Sequence, residues 1–387
     1  MSKHKWWYEK GQMKNNDNRP QEWIDILTGK TKKKGESYGI VPKLEDLARR
    51  ARLSYENDVM SRGENVDGHI FAPANHWVKC GLYDNLGSDV RTIGLTVALG
   101  SWMFGKRHYK FVPTLFEHLY DSDLTEVPIE DLKHLPDWCV YVEFPRDNPL
   151  FHNCIKGFFA GFVRTDETDE RGIIDGFPII LDTADFGLMQ LAFLPLNFLN
   201  VNVTSIDDCL TFYMDMKRAH AKDADEDMVA ILRYCKYGPD FIQAHKMGTI
   251  GDKFNVCDED LRNMVIGCLN LLIHLCIDDE DHMEESIKDQ KYIYTKPLKV
   301  TGERKILASP KPKVIVVGQE FEKIHEVAMR NWRNSPTSIR PHKRCGHFKS
   351  VRVLANPNKP GEYTRKRVWI HATFVRGHNY DEKKEGG

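Results

Sequence analysis

Between Pro136 and Pro195 the chain passes through four short segments whose local structure is narrowly constrained. Trp138–Phe144 (WCVYVEF), Gly157–Arg164 (GFFAGFVR), Phe177–Thr183 and Leu188–Pro195 are aromatic and β-branched, and Gly, Pro, Asp and Asn separate them. Apolar runs of this length bounded by turn residues are strands, and close spacing favours hairpin connections, so the four predict an antiparallel sheet. The acidic stretch Thr165–Arg171 has hairpin-turn character.

Runs with helical period surround these strands. Leu44, Leu47, Ala48, Ala51 and Tyr55 predict an amphipathic helix over Leu44–Arg62, with Arg49, Arg50 and Arg52 facing outward. Thr92–Phe104 and Val112–Tyr120 are apolar enough for buried helices. Ser205 with Asp208 resembles a capping box and starts a helix running to about His220. Asp225–Tyr237 is a further helix. In Asp258–Ile277, Leu261, Val265, Cys268, Leu269, Leu272 and Cys276 form a wide stripe, which predicts the central buried helix. Beyond the acidic run Asp278–Asp281, Lys313–Gly318, Ser350–Leu354 and Arg367–Val375 read as strands, the last two joined by the turn Asn356–Gly361. The expected fold class is α+β, in four parts. A basic arm covers residues 1–37, and a mainly helical region covers 38–134. An α+β body with the four-stranded sheet covers 135–298, and a basic β-rich unit covers 299–387.

Composition narrows the class of protein. At 387 residues with 41% hydrophobic and 29% charged, the chain has ample material for a core, which excludes wholesale disorder. No stretch is long and apolar enough for a membrane span, and residues 1–34 lack the apolar core of a secretory signal. The nine cysteines are odd in number and form no C-x-x-C, so free thiols and a cytoplasmic location are expected. P-loop, dinucleotide-binding G-x-G-x-x-G, H-E-x-x-H and G-x-S-x-G motifs are all missing, and neither a cofactor nor a metal is expected.

The near-neutral total hides an asymmetry. From Lys299 to Gly387 there are 20 Lys+Arg against 8 Asp+Glu, a net of +12 that leaves −13 on the rest of a chain totalling −1. A basic block beside an acidic body suits either a polyanion or an internal electrostatic interface. Within the block, Arg340-Pro-His-Lys-Arg-Cys-Gly-His347 concentrates hydrogen-bond donors in a proline-stiffened loop. Arg352, Arg365, Lys366, Arg367 and Trp369 follow. Guanidinium forks suit phosphate oxygens, and an indole can stack on a base. Three readings stay open here. Arg340, His342, Lys343, Arg344, His347, Arg352, Arg365, Lys366, Arg367 and Trp369 form an RNA-contacting surface. Alternatively, the same charges pair with the acidic body. In the third reading, His342, His347 and His371 act as acid and base in RNA cleavage or as ligands of a metal, for which His342-x2-Cys345-x-His347 is not a standard zinc spacing.

The run Leu135-Pro-Asp-Trp-Cys-Val-Tyr-Val142, the Gly157–Arg164 strand, and the acidic turn with two apolar strands after it resemble the middle of one family. These are large anti-CRISPR proteins directed at type V-A systems, the second such family described. The Arg340–His347 motif and the Arg367–Val375 strand resemble its C-terminal end, so the likeness covers roughly Leu135–Leu196 and Val314–Arg376. The resemblance implies a phage or plasmid protein in the bacterial cytoplasm that suppresses production of the type V-A effector nuclease. Its partners would be the nascent N-terminal peptide of that nuclease, the mRNA or translating ribosome, and a host ribonuclease. On this reading Trp138, Tyr141, Phe158, Phe159 and Phe162 line a peptide groove; as ordinary core aromatics they would alternate between faces. An intrinsic ribonuclease and a plasmid or phage nucleic-acid-binding protein are the alternatives.

Overall fold

The computed structural model describes residues 44–82, 90–145, 155–165, 174–183, 187–195, 205–219, 239–276 and 312–333, apart from a few single positions, with isolated positions between 229 and 237. It also describes the backbone of 342–343, 347–354, 363–370 and 374–375. The expected arm over 1–37 and the acidic runs after Ala219 and Cys276 lie outside the described residues, as does most of the expected helix Asp225–Tyr237.

Helices and a mixed sheet make the protein α+β, as the sequence predicts. Three helices come first: α1 (Leu44–Ser61), α2 (Ala74–Lys79) and α3 (Val90–Gly105). The chain leaves α3 through Lys106, a non-glycine residue at φ 51°, and enters β1 (Arg107–Phe111) directly. α4 (Pro113–Tyr120) and a short 3-10 turn (Ile129–His134) lead to β2 (Cys139–Glu143). β3 (Ile155–Gly161), β4 (Val163–Thr165), β5 (Ile174–Thr183) and β6 (Gly187–Pro195) follow. Helices α5 (Ile206–Ala219), α6 (Pro239–Met247) and α7 (Asp258–Cys276) come next, then β7 (Lys313–Val317) and α8 (Gln319–Arg333).

The hydrogen-bonded path runs β4-β5-β3-β2-β1-β7, and β6 pairs with β5 off this path. The pairings among β2, β3, β4, β5 and β6 are antiparallel, as expected. The expected Gly157–Arg164 strand divides at Phe162 into β3 and β4. What the sequence reading lacked is β1, which pairs in parallel with β2 and with β7. Parallel neighbours need a crossover, and α4 supplies it between β1 and β2. Residues 313–317, which composition groups with the C-terminal unit, are therefore part of the central sheet. Likewise, β1 sits inside the stretch read as mainly helical.

Alternation assigns the two faces of the sheet. Tyr141, Phe159 and Ile180 pack with Leu47, Ala51, Trp77 and Trp102 of the N-terminal helices. Tyr109, Val140, Val142, Phe158, Ala160, Ile179 and Leu181 face α4, α5 and α7. A sheet covered on both faces needs apolar residues at successive positions, which explains the unbroken runs in β2 and β3. Helix α7 is the central buried helix, with nearly every residue from Leu261 to Leu275 buried. It approaches α4 so closely that a Cβ added at Gly267 would lie 1.9 Å from the Tyr120 ring. Asn270 Nδ2 donates to the carbonyls of Ser122 (2.8 Å) and Tyr120 (3.3 Å), satisfying acceptors at the end of α4. The capping box of α5 is reciprocal: Asp208 N–H donates to Ser205 Oγ (3.1 Å) and Ser205 N–H to Asp208 Oδ2 (3.2 Å).

No disulfide joins the cysteines among the described residues. Burial pushes the Cys139 and Cys268 thiols well up, so both stay protonated and act as small apolar core groups. None of the described helices is long and apolar enough to cross a membrane.

Arg52 departs from the expected outward face. It is only 5% exposed and donates to the carbonyls of Ile70 (2.8 Å) and Phe71 (2.7 Å) and to Glu56 Oε1 (2.6 Å). Its guanidinium carbon lies 5.1 Å from the centre of the Trp138 ring. The reason is helical period: Arg52 follows Ala48 by one turn, on the buried side of α1, whereas Arg49 and Arg50 pair with Glu45 and Asp46 outside. Arg52→Ala should lower stability by about 3 kcal/mol, because it removes a buried guanidinium that neutralises the half-buried Glu56 carboxylate and donates to two buried carbonyls. Arg50→Ala should change it by less than about 0.5 kcal/mol, both read by urea unfolding.

Candidate functional site

The five aromatics read as peptide-groove lining lie in the core. Trp138, Tyr141 and Phe159 are buried beneath the N-terminal helices, where Trp138 meets Phe71 edge-on (5.2 Å between ring centres). Phe158 and Phe162 are buried on the opposite face, against Phe144 and Phe177 respectively. They therefore do not line one groove. Phe158 and Phe159 are successive residues of a strand and must point to opposite faces.

Polar side chains gather where the first of these faces runs toward the β1 side. The Tyr141 hydroxyl donates to Asp182 Oδ2 (2.9 Å), reaching across β3 at Gly157. A Cβ there would lie 2.9 Å from that hydroxyl and 2.2 Å from the Val142 carbonyl oxygen, so only glycine leaves the path open. Beside it, His108 Nε2 lies 2.6 Å from Glu143 Oε2, and Lys110 Nζ lies 3.1 Å from the same oxygen. The His108 ring meets the Tyr141 ring at 4.9 Å between centres. Burial pushes the Glu143 carboxyl up, but the hydrogen bond and charge of His108, helped by Lys110, outweigh it and hold the carboxyl below the usual range. His108, Lys110, Tyr141, Glu143 and Asp182 come from β1, β2 and β5, so no local motif announces them. Their only advance signal is alternation within each strand. The network clamps the β1–β2 end of the sheet. No group of three or more metal-ligating side chains occurs among the described residues.

In the basic C-terminal block the backbone forms two ribbons. β8 (His342–Lys343) pairs with β11 (Phe374–Val375), and β9 (His347–Leu354) with β10 (Tyr363–Ile370). Both pairings are antiparallel, and β9–β10 is the hairpin expected around Asn356–Gly361. Its register sorts the RNA-contact candidates. Arg352 sits opposite Arg365, Arg367 opposite Ser350, Trp369 opposite Phe348 and Tyr363 opposite Leu354. Cross-strand partners share a face and alternate along the strand, so these positions occupy one face of the ribbon. The other face holds Lys366 with Val351, His347 with Ile370, Val368 with Lys349 and Thr364 with Val353. One face is thus rich in Arg and aromatic residues, and the other in branched aliphatic ones. His342 is opposite Val375 and Lys343 opposite Phe374, in the second ribbon. Arg340, Arg344 and His371 lie outside the described residues. Of the three histidines considered for chemistry, the two described ones stand in different ribbons.

Residues 109–377, from within β1 to just past β11, match the model of the AcrVA2-like family, the anti-CRISPR type V subtype A2 family. The chain belongs to that family. It is an anti-CRISPR protein of the type V-A class, whose target in general is a Cas effector. Helices α1, α2 and α3 precede the matched span. The crystal structure of AcrVA2 has a similar fold, with a TM-score of 0.50 at 16% identity over 86% of this chain and 98% of that one. No curated protein matches the chain.

The ion-paired corner carries a pH signature. A carboxyl held below its ordinary value of 4.5 stabilises the fold at neutral pH, and that contribution disappears as pH falls through the lowered value. Glu143→Gln should therefore be less stable than the native protein at pH 7, and the difference should shrink once the pH falls below about 4.5. Thermal unfolding of both proteins across that range measures it.

Proposed function

We propose that this anti-CRISPR protein suppresses production of the type V-A effector nuclease. It reads the N-terminal peptide of that nuclease as it leaves the ribosome and brings about loss of the effector's mRNA, with a host ribonuclease doing the cutting. The arena is the bacterial cytoplasm. Family membership supplies the target class, and the observation that favours an RNA-side contact is the β9–β10 ribbon. Its register gathers Arg352, Arg365 and Arg367 with Phe348, Tyr363 and Trp369 on one face, within a block of net charge +12. Arginine at such spacing meets phosphates, and interleaved aromatics stack on unpaired bases, the combination that binds single strands with little sequence preference. The opposite, aliphatic face suits packing against protein. We assign RNA contact first to Arg352, Arg365, Arg367 and Trp369. Arg340, His342, Lys343, Arg344, His347 and Lys366 contribute charge around them. The β9–β10 ribbon, together with β8 and β11, acts as the RNA-facing module, and the body with its central sheet as the peptide-reading one.

Replacing Arg352, Arg365 and Arg367 together with Ala tests this. In cells making a type V-A effector, the triple variant should let effector transcript and protein return toward their uninhibited levels. In vitro, the salt dependence of single-stranded RNA binding should weaken, the slope of log K against log salt shrinking by roughly 2 for three lost phosphate contacts. Full suppression by a folded triple variant would remove this face from the mechanism.

A further inference from the structure

Strand β7 ends the central sheet on its side, among the described strands. Two backbone hydrogen bonds bracket its ladder with β1: Lys313 N–H to the Lys106 carbonyl (2.9 Å) and Val112 N–H to the Val317 carbonyl (3.0 Å). With the register running from Arg107↔Lys313 to Phe111↔Val317, the main chain of Lys313, Ile315 and Val317 faces β1. The N–H and C=O groups of Val314 and Val316 therefore point out of the sheet edge. Their side chains are 45% and 39% exposed, while Ile315 and Val317 are buried. In register these two valines stand next to His108 and Lys110. Proteins usually blunt an open edge with charge, proline, a bulge or a covering element. Here Pro312 and Lys313 stand only at its start, and the outward-facing positions are both valine.

We propose that β7 is a strand-addition site for an extended peptide carrying small apolar residues at alternate positions. The peptide's main chain pairs with the N–H and C=O of Val314 and Val316, and its alternate side chains lie on the two valines. Donors and acceptors repeating every second residue complement an extended polypeptide, which selects that occupant over a nucleic acid or a lipid. The inference rests on the peptide-recognition reading above and makes β7 the place where the effector's N-terminal segment is held. It replaces the aromatic groove, whose members are core.

The test uses the full-length protein and a synthetic peptide covering the start of a type V-A effector nuclease. Val316→Pro removes an outward N–H without removing a bond to β1, so the sheet should tolerate it. The expected result is at least about a tenfold loss of peptide affinity with an unchanged melting temperature. In the native protein, hydrogen exchange gives the same answer without a substitution. The Val314 and Val316 amides should exchange rapidly when free and slow down when peptide is added. Unchanged exchange with peptide bound, or unchanged affinity in Val316→Pro, would overturn the site while leaving peptide recognition standing elsewhere. Amides already protected in the free protein would mean that the chain covers its own edge. Loss of a dimer in Val316→Pro with peptide affinity kept would mean that a second copy does; either overturns the proposal. If the native protein binds no peptide at all, the peptide-recognition reading fails first, and this one with it.

Discussion

Strand β1 is five residues long, and the architecture turns on its two parallel pairings. On one side it holds β2, the start of the antiparallel meander, and on the other β7, which returns to the sheet some 200 residues later in the chain. Long-range parallel pairing closes a large loop and is stable only if both faces are then buried. Both are: α4 and α7 close one face, and the N-terminal helices close much of the other. The same strand contributes His108 and Lys110 to the ion-paired corner and sets which main-chain groups of β7 remain outward. Core, polar clamp and the outward groups of β7 are therefore consequences of one pairing. The family match begins inside this strand.

How far the sequence reveals this depends on the range of the interaction. Local signals are legible: the aromatic strands (one of them split at Phe162), the period of α1, the Ser205–Asp208 cap and the apolar stripe of α7 appear where their residues predict. Where a signal needs a distant partner it is silent. Arg107-His-Tyr-Lys-Phe111 alternates polar with aromatic residues over only four positions and follows a helix with no turn, so its strand signature is faint beside the helical run before it. Arg52 reads as part of a solvated arginine cluster because the carbonyls it satisfies belong to Ile70 and Phe71. The groove aromatics fail for the opposite reason. Their bulk attracts a functional reading, while strand alternation sends adjacent ones to different sides of a covered sheet.

The candidate site shows the same division. Charge excess picked out the C-terminal block, but composition could not say which of its residues belong together. Hairpin register does, separating Arg352, Arg365, Arg367 and Trp369 from Lys366 and His347. The apolar run KVIVV carries no local mark of an edge; its place at the end of the sheet, among the described strands, leaves Val314 and Val316 exposed. A protein that must meet both a peptide and a message needs two chemically different surfaces. In the proposed function the edge of β7 and the Arg–aromatic ribbon are assigned those two roles.

The central claim is that the emerging peptide, rather than the message, is read. A reporter fused behind the opening codons of a type V-A effector, expressed with this protein, measures it. A second reporter encodes the same peptide in synonymous codons, and a third carries nearly the same message with its reading frame shifted. The account predicts that reporter transcript and protein fall in the first two and stay level in the third. Loss in the first and third with the synonymous version spared would mean that nucleotide sequence is read, and loss in none would remove translation-coupled suppression altogether.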